Sequence, residues 1–372
     1  MNAVVPTTIA ALASLACSQD LVLRGGEPAP AGDVIAATSE GVVVDADASE
    51  PVIVPWHRVL RVERAGVVDE LAEGERLWRA LWRVERGDTP QAEPTLEAIF
   101  ADRVAERGPT TRAVAAALTR CRLGRGARLA AIDSWLVWLA AGRTGSGPMV
   151  YEPRREVFGL VDEASLVPHD EATGLVPQLP PIFRASHALR VRTETAPLLA
   201  ATDGRAESLE SLYRRAAAIA FGDDAAVADA ELRDGRPGVA LVAAVVAVQA
   251  TDPSDAPSNA RRLLQRVIER EPNTWQEAWS RVAIGRHLLR SSDQEVKREG
   301  VLELLHVPAR FGDTLPDLAA LALADSIEAM QTLGDSNVAD RLAREVLIFD
   351  PAIAASIEQP SQDSNADSAG DG

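Results

Sequence analysis

The stretch from Ala320 to Ile353 constrains this chain more than any other. Leu321, Ala322, Leu323, Ala324, Ile327, Met330 and Leu333 recur at three- and four-residue spacing, and Gly334-Asp335 follows. Beyond that pair, Val338, Ala339, Leu342, Val346 and Leu347 repeat the spacing, and Asp350-Pro351 stops it. The pattern predicts helix, tight turn, helix and stop within 34 residues. Each predicted helix has one apolar face, and two such faces cannot close a core alone. Neighbouring helical pairs must supply the rest, so an array of hairpins is expected. The stretch names no chemistry.

Gly334, Ala339 and Pro351 stand at the offsets of the turn glycine, the small residue and the terminal proline of the tetratricopeptide repeat, which the stretch resembles. Ser326-Ile327 departs from it where that family carries a large-small apolar pair. Ala260, Leu264, Val267 and Pro272 make a second partial match, with the same small-to-proline distance of 12 residues. Gly87-Asp88, Ala92, Leu96 and Ile99 make a third, without the proline. The resemblance implies a mainly α fold, an antiparallel array of helical hairpins (an α-solenoid), and a groove for a protein or peptide. An irregular helical domain is the alternative.

Apolar residues make up 47% of the chain and aromatic ones 4%, with Ala and Leu abundant, which favours helices over a β-sandwich. The formal charge of −17 weighs against a broad nucleic-acid surface. Lys297 is the sole lysine, read here as coding bias.

Val4–Ala16 is an apolar run of 13 residues ending in small ones, which suits the core of a cleaved export signal and is too short to span a bilayer. Met1-Asn2-Ala3 lacks the usual positive charge, and Ser14-Leu15-Ala16-Cys17 makes a poor lipobox. Residues 1–19 are expected to be a signal peptide, which makes the protein periplasmic or secreted; a cytoplasmic N-terminus is the alternative. Removal of Cys17 leaves Cys121 alone, so the fold must rest on packing.

Residues 20–66 hold short β-branched runs at Leu21–Leu23, Val34-Ile35, Val42–Val44, Val52–Val54 and Val59–Val62, separated by Gly, Pro and Asp. That spacing predicts a tightly turned meander. It resembles a small SH3-like or Sm-like barrel, which serves either as an interaction surface or as a cap on the array. Two helical hairpins follow in 67–142, with Trp78 and Trp82 in the first helix. The helical pattern lapses over 143–190, where Pro153, Pro168, Pro177 and Pro180-Pro181 fall among short apolar pieces. Such an interruption is a functional loop or a linker, and its apolar residues suggest that it packs along the array. Helices resume over 191–354, including the buried run Val239–Val248, and 355–372 reads as a disordered acidic tail.

Three tryptophan pairs, Trp78/Trp82, Trp135/Trp138 and Trp275/Trp279, each share one helix face. Such rings either fill gaps between Ala-rich helices or line a groove where they hold a partner segment. Trp275 and Trp279 are the chosen binding pair, because they start a helix just after Pro272; Arg261 and Arg262, one helix earlier, would add charge. His57, His169, His187, His287 and His306 lack ligand spacing, and there is no paired-cysteine, nucleophile-elbow, dinucleotide or P-loop motif. No metal, no cofactor and no catalytic residue is therefore assigned, and Cys121 is read as a buried small side chain. Taken together, the sequence points to a non-catalytic adaptor of the cell envelope, with a protein or peptide partner, no nucleic acid and no membrane span. The alternative is an enzyme with its site between Met149 and Phe183, drawing on Glu152, Asp162, Glu163, His169 and Asp170.

Overall fold

The computed structural model describes residues 21–46, 50–63, 66–141, 149–151, 161, 163–194, 198–199, 204–223, 227, 230–251 and 258–349. The expected signal peptide and acidic tail lie outside the described residues, as do Glu152 and Asp162.

Five short strands come first: β1 (Leu21–Leu23), β2 (Gly32–Thr38), β3 (Gly41–Ala46), β4 (Val52–Pro55) and β5 (Val59–Val62). They do not close into the expected barrel. β2, β3 and β4 form an antiparallel meander, with Val34 opposite Val44 and Val42 opposite Val54. The free edge of β4 is then taken in parallel by β6 (Met149–Val150), which returns from far along the chain. β1 and β5 pair only with each other, in a separate two-stranded sheet. A barrel needs its first and last strands to close one ladder. Here the 3₁₀ turn Trp56–Arg58 carries the chain out of the meander before β5, so the two sheets share a core around Trp56, Val42 and Val54 without sharing an edge.

The helices before the interruption are α1 (Val68–Glu85), α2 (Thr89–Arg103), α3 (Pro109–Gly124) and α4 (Arg128–Ala141). Two short ones lie within and after it, α5 (Glu163–Leu166) and α6 (His187–Glu194). Then come α7 (Gly204–Ala220), α8 (Val239–Ala250), α9 (Asn259–Arg270), α10 (Trp275–Leu289), α11 (Gln294–Phe311), α12 (Pro316–Thr332) and α13 (Ser336–Phe349). From α7 onward each helix packs on the next, and α8, α10 and α12 also touch across one face, which is repeat-like packing. α8 is apolar on every side because α7, α9 and α10 all pack on it. Gly334 closes the α12–α13 hairpin at φ 84°, a left-handed turn that favours glycine. The two halves meet where Arg128, at the start of α4, pairs with Asp317, at the start of α12, at 3.3 Å.

The β-module is locked onto the first helices. The buried Glu40 carboxylate, in the β2–β3 turn, accepts the Thr111 amide at 2.9 Å and the Thr111 hydroxyl at 2.5 Å. It therefore satisfies the first turn of α3, whose own N-cap, Gly108, offers no side chain. Arg103 adds an ion pair to Glu40 at 3.6 Å and donates to the Ser39 carbonyl at 2.6 Å. On α1, Gly74 lies so close to the Trp56 carbonyl that a Cβ there would overlap it. These contacts fit the capping role for the module.

Candidate functional site

Part of the interruption in the helical pattern, Gly174 to Arg184, lies against α4, α7, α8, α10 and α12. Pro177, Pro180 and Pro181 carry no N–H and cannot continue a helix, so the chain from Gly174 to Arg184 is non-helical, with one turn where the Leu179 amide donates to the Val176 carbonyl at 2.9 Å. A tight turn delivers it: the Asp170 carboxylate accepts the Thr173 amide at 2.8 Å, and the Asp170 amide donates to the Leu175 carbonyl at 2.8 Å. Leu175, Val176, Leu179 and Ile182 are then buried among the helices.

Side chains from four helices answer the segment's carbonyls in order. Trp135 of α4 donates its indole Nε1 to Gly174 at 3.1 Å. Trp279 of α10 donates to Pro177 at 2.9 Å, and the buried Tyr213 hydroxyl of α7 donates to Leu179. Gln249 of α8 donates Nε2 to Pro181 at 3.1 Å, and Arg286 of α10 donates Nη1 to Phe183 at 2.9 Å. Burial pushes the Tyr213 phenol well above its ordinary range, so it stays a donor. The segment ends in charge: Arg184 pairs with Asp325 at 3.4 Å and with Glu328, both on α12. Arg286 holds the other oxygen of Asp325 at 2.6 Å. Each carbonyl bond contributes about 0.5–1.5 kcal/mol net, but a buried carbonyl left without a donor costs about 1–3 kcal/mol. The side chains are therefore a matched set for the carbonyls of this segment.

Two openings flank the end of this segment, with Phe183, Arg184 and Ala185 between them. One, of about 480 Å³, lies against α7, α8, α10, α11 and α12 and mixes charged with apolar side chains. The other, of about 700 Å³, is lined mainly by apolar side chains, among them Leu129, Ile132, Ile182 and Leu321.

The residues singled out from sequence are dispersed. Trp279 is wholly buried, so its ring meets the chain's own segment and not solvent. Trp275 is half-buried and packs edge-on against it, with ring centroids 4.7 Å apart. Arg261 faces α11, with Glu299 at 3.9 Å, whereas Arg262 is exposed and bonds the Asn259 side chain at 2.8 Å. These four side chains do not converge on one pocket. Of the acidic and histidine residues proposed for an enzyme site, Asp170 is spent on its turn. His169 bonds the Val167 carbonyl through Nδ1 at 2.8 Å and lies against the Trp138 ring. Cys121 is buried, and among the described residues no group of His, Cys, Asp or Glu is placed to hold a metal ion. No helix among them is long and apolar enough to cross a membrane. Sequence reasoning missed Tyr213, Gln249, Arg286 and Asp325 as groove residues. The available signal was a polar side chain on an otherwise apolar helix face, as at Gln249 after Val239–Val248 and at Asp325 between Leu321 and Ile327.

Comparison with protein-family models, with curated proteins and with solved structures finds no match.

Proposed function

We propose that this chain is a non-catalytic helical-repeat interaction protein, an adaptor whose inner groove receives an extended segment of a partner. One observation carries the reading: the donors at Trp135, Tyr213, Gln249, Trp279 and Arg286 already bind the carbonyls of a non-helical, proline-containing segment, the chain's own. Main-chain recognition of this kind gives affinity without demanding one side-chain sequence, which suits an adaptor. The open continuation of the groove beyond Arg184 leaves room for a second segment. Likeness to the tetratricopeptide repeat belongs to the same reading, since hairpin arrays of that family present an inner groove. Placement in the periplasm or outside the cell rests on Val4–Ala16, and the mass of the protein purified from its host tests it: an N-terminus near residues 17 to 20 supports export, and an intact Met1 or Asn2 contradicts it.

The groove itself is tested by capture from host extract with the wild-type protein and with Thr332→Trp. Thr332 is exposed at the mouth of the 480 Å³ opening, so a large ring there obstructs the groove without entering the core. A protein retained by the wild type and lost with Thr332→Trp supports the reading. Equal retention by both places the interaction elsewhere and refutes it.

A further inference from the structure

The walls of the 480 Å³ opening carry Arg184, Arg286, Arg290 and Lys297 against two carboxylates, Asp325 and Glu328. The carboxylates are already used: Asp325 is shared between Arg286 and Arg184, and Glu328 pairs with Arg184. Arg290 turns one nitrogen to the carbonyls of Val248 and Thr251 at the end of α8. Lys297, half-buried near the start of α11, has no ion pair among the described residues. A chain of net charge −17 thus places its sole lysine, without an ion pair among the described residues, in the opening that continues its peptide-holding groove.

Resting on the adaptor reading, we propose that this opening receives an acidic segment of a partner protein in extended form, with a Glu or Asp carboxylate on Lys297. The charge sets the sign of the ligand. Phe183, Ile219, Leu289 and Ala329 flank the cations, so the opening also offers surface to the carbon skeleton of a peptide, which a bare anion cannot use. A nucleic-acid strand fits less well, because the remaining surface of so acidic a chain repels a continuous run of phosphates.

Three measurements test it. A fluorescent peptide of Pro-Glu-Leu repeats is titrated beside the same peptide with Gln for Glu, against wild type, Lys297→Glu, Lys297→Arg and Arg262→Glu. The acidic peptide is expected to bind at least about tenfold tighter than the Gln peptide. Lys297→Glu should lose that preference, whereas Lys297→Arg, and Arg262→Glu on α9, should keep it. A carbodiimide, which joins carboxylates to amines, should couple the N-acetylated acidic peptide to Lys297, an adduct that peptide mapping separates from one at the α-amine, since no other lysine exists. In the third measurement inorganic phosphate competes for the opening, and it should displace the peptide only weakly.

Equal binding of both peptides, or an unchanged affinity in Lys297→Glu, overturns the acidic partner while leaving the groove as a peptide site. Full displacement by millimolar phosphate, with no binding of the Gln peptide, also overturns it and makes the opening a small-anion site. If neither peptide binds and Thr332→Trp still captures the host partner, the adaptor groove itself is refuted.

Discussion

Trp279→Ala removes a ring with no solvent exposure, edge-packed on Trp275 at 4.7 Å and bonded to the Pro177 carbonyl at 2.9 Å. Loss of the ring and the cavity it leaves should cost about 3–5 kcal/mol. The carbonyl bond can be separated from this packing by Trp279→Phe, which keeps an aromatic ring and deletes the N–H. Pro177 is half-buried, so water can partly replace the donor and the second cost falls near the low end of the about 1–3 kcal/mol range for an orphaned acceptor. Both variants are to be unfolded in urea and followed by far-ultraviolet circular dichroism, which does not depend on the deleted fluorophore. The midpoints should fall in the order wild type, Trp279→Phe, Trp279→Ala, with the slope m unchanged. A Trp279→Ala cost under about 1 kcal/mol would refute the reasoning, because a ring that holds both core and segment cannot be removed so cheaply.

The other expectations are narrower. Glu40→Ala should destabilise by about 1–3 kcal/mol in the same urea assay, since it strips the acceptor from the first turn of α3 and one carboxylate from Arg103; no change would mean the β-module is not held there. Burial, helped by Glu93 and Glu97, pushes the Cys121 thiol up to about 12, so iodoacetamide at pH 8 should label it only in urea, as read on the peptide containing Cys121. Burial, then the Arg290 and Arg261 charges, hold His287 below the ordinary imidazole value. A depressed value means the unfolded chain takes the proton first, so this stability is present above about pH 6.5 and is lost as pH falls through the folded value. The stability gap between wild type and His287→Gln should therefore shrink between pH 7.5 and pH 5; a constant gap would contradict it.

The helical part of this fold was legible because one-sided burial imposes a period. Ala92, Leu96 and Ile99 in α2, and Ala339, Leu342 and Val346 in α13, stand at helical spacing in sequence and in the core. The turn at Gly334 was legible for a steric reason, its positive φ. The barrel was misread because short β-branched runs give strands but not their closure. Closure depends on which edge Met149–Val150 takes, and no local pattern encodes that choice. The groove was legible only in outline. Scattered prolines marked a segment that could not be helical, and its apolar residues marked it as packed. Its hydrogen-bond partners lie far off in sequence, such as Trp279 for Pro177, and a tryptophan that binds a carbonyl looks in sequence like one that fills a gap.

The central claim is that the segment from Gly174 to Arg184 lies in the array's own groove, gripped through its carbonyls. A photoreactive benzoyl-phenylalanine in place of Phe183, whose ring sits 6.4 Å from that of Tyr213, tests this most directly. After irradiation and digestion, mass spectrometry should find position 183 joined within one chain to α7, α8 or α10, near Tyr213, Gln249 or Arg286. Adducts confined to residues next to 183 in sequence, or formed only between two chains, would contradict it.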